Sequence, residues 1–207
     1  MQDLFDFWSE LPEGETVHPR DVPFLRHATE DFCSAAPPGH INGPLRTAPV
    51  VLCYGNPGLD DTDRKMFLQE DKRAMLFRQM SGLEPYPEPW LTWLRQRCGH
   101  LKLADDMLRR TVAVFNVVPY TSVDMNDAQE RLAFGLPSVW VAQHYLRTVL
   151  MPQAARREIF LVVARKHSLW GIAPGHELPN FRQVRNRGGY LGEALSRDIV
   201  DWLATRR

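Results

Sequence analysis

A chain of 207 residues that is 44% hydrophobic can bury one sizeable core and is short for two. Its 25 Lys and Arg balance 25 Asp and Glu, which argues against a protein that coats nucleic acid non-specifically but leaves room for a local basic groove. The scattered Cys33, Cys53 and Cys98 lack C-x-x-C spacing and argue against a disulfide framework or a cysteine-ligated metal; with no basic, apolar start and no long apolar run, the expectation is a cytoplasmic protein without a membrane span.

Residues 3–11 predict a short amphipathic helix. Residues 12–48 are rich in Pro, Gly and His and predict an irregular wrapping segment with one helix near 24–33. His18, His27, His40 and His100 show no metal-ligand spacing and are read as surface or wrapping residues. Residues 49–207 are expected to form one compact domain. An apolar, β-branched run predicts a strand over 49–55, ending in Gly55-Asn56-Pro57-Gly58. A helix follows to about residue 80, with Asp61 or Thr62 as its cap, and stops at Gly82. The proline-rich link 85–89 leads to a helix over 90–98 and a further turn over 103–109. A second strand covers 111–118. A strong helix covers 136–151, its Trp140 and His144 face assigned to core packing. A third strand, 159–164, opens onto Arg165, Lys166 and His167. A short fourth strand, 181–185, reaches Asn186-Arg187-Gly188-Gly189, and a final helix spans 190–204. Alternating strands and helices predict a doubly wound α/β domain with a mainly parallel four-stranded sheet flanked by helices.

Parallel strands bring four exit loops to one crevice, the usual ligand position in such sheets. Converging there are Gly55, Asn56, Pro57 and Gly58 from the first loop and Asn116 and Tyr120 from the second. Arg165 and His167 come from the third, and Asn186, Arg187, Gly188 and Gly189 from the fourth. Side-chain amides and backbone N–H groups read flat heterocycles, and arginines bind phosphate. Each candidate has a competing structural reading. Asn56 also fits a strand-ending turn, Asn116 a tie between loops, Tyr120 a lid on the core, and His167 an exposed helix start. Arg165 and Arg187 also fit bridges to acidic loops.

The order of these segments resembles the uracil-DNA glycosylase superfamily, most of all its bacterial relatives. Tyr54-Gly55-Asn56-Pro57-Gly58 resembles the G-x-N-P-G segment of the mismatch-type branch. Val114-Phe115-Asn116-Val117-Val118-Pro119 is similar to the segment whose Asn binds the base. Leu169-Trp170-Gly171 is comparable to the superfamily's L-W-G, and Asn186-Arg187-Gly188-Gly189 occupies the place of its H-P-S-P-type loop. The resemblance covers residues 49–204 by order and spacing more than by identity. It implies a base-recognising fold and, if the protein is an enzyme, hydrolysis of the N-glycosidic bond of a damaged or mismatched base in DNA. Asn56 would then place the water. Gly55, Pro57, Gly58, Asn116 and Tyr120 would hold the base, and Arg165, His167, Asn186, Arg187, Gly188 and Gly189 the DNA backbone. No metal or cofactor is implied, and the partner is DNA or a nucleotide bound by a monomer. Three departures stand out. Tyr54 replaces a glycine, Asn56 stands where the classical enzymes have Asp, and the final loop lacks His and Ser. They leave open a non-catalytic binding protein on the same fold. A nucleotide-processing hydrolase would need a carboxylate cluster; Asp60, Asp61 and Asp63 form the tight group, at a helix start where acids are expected for capping.

Overall fold

Five strands form one sheet: β1 (Ile41–Asn42), β2 (Val50–Tyr54), β3 (Val112–Asn116), β4 (Phe160–Val163) and β5 (Phe181–Gln183). Their order is β1-β3-β2-β4-β5. The last four strands run parallel, and β1 pairs antiparallel with β3 at the edge. The computed structural model describes residues 2–26, 32–33 and 35–206. The sheet is thus the predicted parallel one with an added strand, supplied by the segment expected to be irregular. Ile41-Asn42 is too short to carry a period.

β2, β3 and β4 are buried along their whole length, which is why they read as continuous apolar runs rather than alternating ones. Successive side chains go to opposite faces. Val51, Cys53, Ala113, Phe115, Leu161 and Val163 enter one core layer, and Val50, Leu52, Tyr54, Val112, Val114, Phe160 and Val162 the other. Burial pushes the Cys53 thiol pKa far up, consistent with a core side chain.

The helices fill both faces. α1 (Leu4–Ser9), capped by Asp3, buries Leu4, Phe5, Phe7 and Trp8 in the first layer, so the amino-terminal segment is part of the sheet's core. α2 (Val22–Leu25) is one turn. Half of the helix expected near 24–33, with His27, lies outside the described residues. The single helix expected to residue 80 is two: α3 (Asp61–Phe67) and α4 (Glu70–Gln79), separated at Leu68 and Gln69. α5 (Leu91–Cys98) and α6 (Asp105–Thr111) pack on the second layer. α7 (Asp127–Ala133) has no counterpart among the expected elements, although Asn126 and Gln129 form a reciprocal capping box. α8 (Pro137–Tyr145) passes through a π-helical turn, Leu146–Leu150, into α9 (Met151–Ala155), whose second residue is Pro152. Trp140 is exposed and donates to the Phe134 carbonyl, so it does not pack in the core as expected. α10 (His167–Trp170) follows β4, and α11 (Glu193–Ala204) closes the second layer.

His18 and His40 belong to the wrapping segment but are fully buried, which corrects a surface reading of them. His18 stacks on Phe7, and His40 accepts from the Trp8 indole N–H at 3.0 Å while stacking on Phe115. No helix among the described residues is long and apolar enough to cross a membrane.

Candidate functional site

Strand order reverses around β2, since its successor β3 lies on one side and β4 on the other. The carboxyl ends there form a switch point. Tyr54 and Asn116 are register partners, so both strands stop at the same level. Their exits continue side by side. Val117 N donates to Tyr54 O at 3.0 Å, Val118 N to Gly55 O at 2.8 Å, and Ser122 N to Pro57 O at 3.3 Å. A cleft of about 400 Å³ opens above them.

Its floor is Tyr54, Gly55, Val114 and Asn116. One wall comes from Pro37, Gly39 and Asn42 of the amino-terminal segment, which borders the cleft without filling it. The opposite wall is aromatic and basic: Tyr86, Trp90, Trp93 and Arg97, with Arg165 and Lys166 at the end of β4. Asn56, Thr121 and Ser122 add polar groups.

Asn56 and Asn116 therefore border the same cleft, as expected, but they differ in availability. Half-buried Asn56 donates to Ser122 Oγ at 2.8 Å and Pro57 O at 3.0 Å. Its Oδ1 accepts nothing from the described residues and can orient a water or a ligand N–H. Asn116 is only 3% exposed; its amide donates to Gly39 O at 2.7 Å and its backbone N–H to His40 O at 2.8 Å. It clamps the amino-terminal wall onto the floor.

Gly55 is required by close approach. A Cβ there would stand 2.6 Å from Lys166 Cγ. Lys166 pairs with Glu130 and donates to Met125 O, so it is held in place. Pro57 abuts Gly39 across the cleft mouth, and Gly58 is exposed, bridging to Ser122.

Tyr120 is not at the cleft. Its side chain is buried towards the amino-terminal segment, donating to Asp21 Oδ2 at 2.6 Å and accepting from His18 N at 3.2 Å. Only its carbonyl, 3.5 Å from the Asn56 amide, touches the site. His167 also lies off the cleft; its Nε2 contacts Val163 O at 3.1 Å. Asn186 folds its own loop, donating to Tyr190 O and accepting from Tyr190 N. Gly188 sits against the Tyr190 ring, and Gly189, at φ +67°, packs on the Tyr54 ring and Arg165. Tyr54 Oη donates to Gly189 O at 2.6 Å, which ties this loop to the cleft floor. Burial pushes the Tyr54 pKa up, so it remains a donor at neutral pH. Arg187 is exposed, with no ion pair among the described residues. The final helix begins at Glu193, so residues 187–190 do not form its amino terminus, contrary to expectation.

Asp60 and Asp63 cap α3 reciprocally, and Asp63 also accepts from the Trp90 indole at 2.7 Å. Their grouping is explained by capping, and among the described residues no cluster of His, Cys, Asp or Glu is arranged to hold a metal ion.

Of the aromatic and basic wall, Arg165 is among the residues expected at the site, whereas Tyr86, Trp90, Trp93 and Arg97 are not. Trp90, Trp93 and Arg97 fall at i, i+3 and i+7, one face of a helix, and that spacing is the signal the sequence offers for it. Arg97 carries its guanidinium 5.1 Å from the Trp93 ring centre and 4.1 Å from that of Tyr190. Its Nε and Nη1 are buried without any acceptor among the described residues. Leaving a buried donor unmet costs about 1–3 kcal/mol, and more for a charged group. Compared with known protein families, with curated proteins and with solved structures, the chain matches none.

Proposed function

We propose that the protein recognises a nucleic-acid base in the strand-end cleft and belongs to the uracil-DNA-glycosylase-like proteins, acting in DNA repair as a cytoplasmic monomer. The observation that carries this reading is the Asn56 Oδ1, unbonded among the described residues, in a strand-end cleft lined also by the rings of Trp90 and Trp93. This Asn56 oxygen offers a hydrogen bond to a ligand, and indole faces suit a base lifted from its stack. Only a base out of the helix reaches such a site. In the hydrolytic form of the reading, a water held by Asn56 Oδ1 attacks the sugar C1′. The C1′–N bond breaks, its electron pair leaves with the base, and the proton lost by the water ends on that base. Asn56 orients this water without removing its proton. The reading calls for no metal or organic cofactor.

A second reading, a non-catalytic nucleic-acid- or protein-binding member of the same fold, is favoured by one specific observation. Position 56 carries an amide already bonded to Ser122, where a carboxylate would act as base.

One experiment separates them. The purified chain is incubated with single- and double-stranded oligonucleotides carrying uracil, hypoxanthine, xanthine or mismatched thymine. Strand scission after alkali and binding are both recorded. Abasic product that disappears in Asn56→Ala supports hydrolysis. Binding without product supports the second reading, and the absence of both removes the nucleic-acid reading.

A further inference from the structure

The Arg97 guanidinium is a partly buried cation with no counter-ion among the described residues. It is held between the Trp93 and Tyr190 rings, and Nε and Nη1 meet neither solvent nor an acceptor. An arginine does not relieve this by losing its proton. Of the acids lining the same cleft, Asp60 and Asp63 cap α3, Asp63 also takes the Trp90 indole N–H, and exposed Asp124 forms no ion pair with Arg97 among the described residues. Lys166 is paired with Glu130. Arg165 is exposed at the end of β4 and has no ion pair among the described residues. The two arginines lie to one side of Tyr54. Gly189 packs on both Tyr54 and Arg165, while Tyr190, the next residue, covers Arg97. One end of the cleft is thus lined by two cations, Arg97 and Arg165, that have no ion pair among the described residues, beside an aromatic wall.

We propose that Arg97, assisted by Arg165, is a phosphate-binding subsite, so that the ligand of the cleft is a phosphate-bearing nucleotide unit and not a free base or nucleoside. The base half of this statement rests on the function proposed above; the phosphate half rests on Arg97 alone. A guanidinium presents paired N–H donors that match phosphate oxygens, and aromatic faces on either side fix its plane. The stacked rings also admit a purely structural role, in which Arg97 only fastens the 186–190 loop to α5. The test is built to tell the two apart.

The Arg97 Nε–H resonance is followed by NMR in the full chain, assigned by its loss in Arg97→Lys. Inorganic phosphate, acetate, 2′-deoxyuridine and 2′-deoxyuridine 5′-monophosphate are titrated in turn. Inorganic phosphate is expected to shift the resonance at concentrations where acetate does not. The monophosphate is expected to bind about tenfold or more tightly than the nucleoside. Arg97→Met should reduce that ratio to within about twofold, and Arg165→Met, at an exposed position, should lower it by a smaller factor. Circular dichroism and melting report whether Arg97→Met folds; if it does not, Arg97→Lys and Arg165→Met carry the comparison. An unmoved resonance, equal response to acetate, equal binding of nucleoside and monophosphate, or a ratio untouched by the substitutions overturns the proposal. If phosphate acts at Arg97 but the monophosphate binds no better than inorganic phosphate, the subsite stands and the base-recognition reading falls.

Discussion

The two walls of the cleft are built on opposite terms. The wall of Pro37, Gly39 and Asn42 is backed by a dry and largely internally bonded segment, in which parts of His40 and Ser138 go without a partner among the described residues. Asn116 fastens Gly39, His40 lies against Phe115 and Trp8, and Asp21 receives Tyr120 and Ser138. The wall of Trp90, Trp93 and Arg97 leaves donors unmet. Behind the first wall most polar groups are bonded within the chain, His40 Nε2 and Ser138 Oγ excepted, whereas the second wall carries a cation, Arg97, with no ion pair among the described residues. Substitutions in the first wall should therefore move stability, and those around the open end should move binding.

Acid should have the largest effect on the dry wall. Burial pushes the His40 pKa down from 6.5 to about 3, and His18 is shifted in the same direction by its own burial. Between those two values the unfolded chain binds a proton that the folded chain refuses. Stability is thus complete above pH 6.5 and is lost as pH falls towards 3, by about 1.4 kcal/mol per pH unit for His40. Urea midpoints measured from pH 7 to 5 should fall, and His40→Phe should flatten that slope while lowering stability at pH 7. An unchanged slope in the variant would show that His40 is not the group taking up the proton.

Next in size is Tyr120→Phe. It removes the donor to the buried Asp21 carboxylate and should cost about 1–3 kcal/mol in urea unfolding. Ligand affinity should stay within about twofold of wild type, because the ring is outside the cleft. A selective loss of binding would restore Tyr120 to the site.

The two asparagines sharpen the contrast. Asn116→Ala leaves Gly39 O without its amide partner and should cost about 1–3 kcal/mol, whereas half-exposed Asn56→Ala should cost about 1 kcal/mol or less. If the oligonucleotide panel reveals turnover, Asn56→Ala should lower kcat on the order of a hundredfold. Equal stability losses would mean that Asn116 is no clamp.

How much of this is legible in the sequence follows from range. β2, β3 and β4 are legible because strands buried on both faces read as unbroken apolar runs. The Gly55-Asn56-Pro57-Gly58 exit is legible because turn chemistry is local. β1 is not, since its pairing with β3 is decided by Phe115 and Val114, more than 70 residues away. Tyr120 is misplaced by a sequence reading because its partner Asp21 is 99 residues upstream. Arg97 stays hidden because its cleft, its Tyr190 lid and its missing counter-ion exist only after folding. Positions whose chemistry is set by neighbours in sequence are readable, and those set by distant packing are not.

The smallest expected effect on the fold belongs to Arg187, an exposed residue near the open end. It makes no ion pair among the described residues and stands six residues before the first residue of α11, so no helix terminus adds to its charge. Arg187→Ala should leave unfolding free energy within about 0.5 kcal/mol of wild type. The loop is nevertheless joined to the cleft floor through Tyr54 Oη and Gly189 O. A DNA strand whose base occupies the cleft would pass this loop, and removing a single cation–phosphate interaction there should weaken binding equally for all sequences. It should also reduce the slope of log K against log salt by about one. An Arg187→Ala protein that binds oligonucleotides with wild-type affinity and salt slope would confine DNA binding to Arg97, Arg165 and the cleft itself. A variant that changes base preference would mean that the loop reads bases and not the backbone.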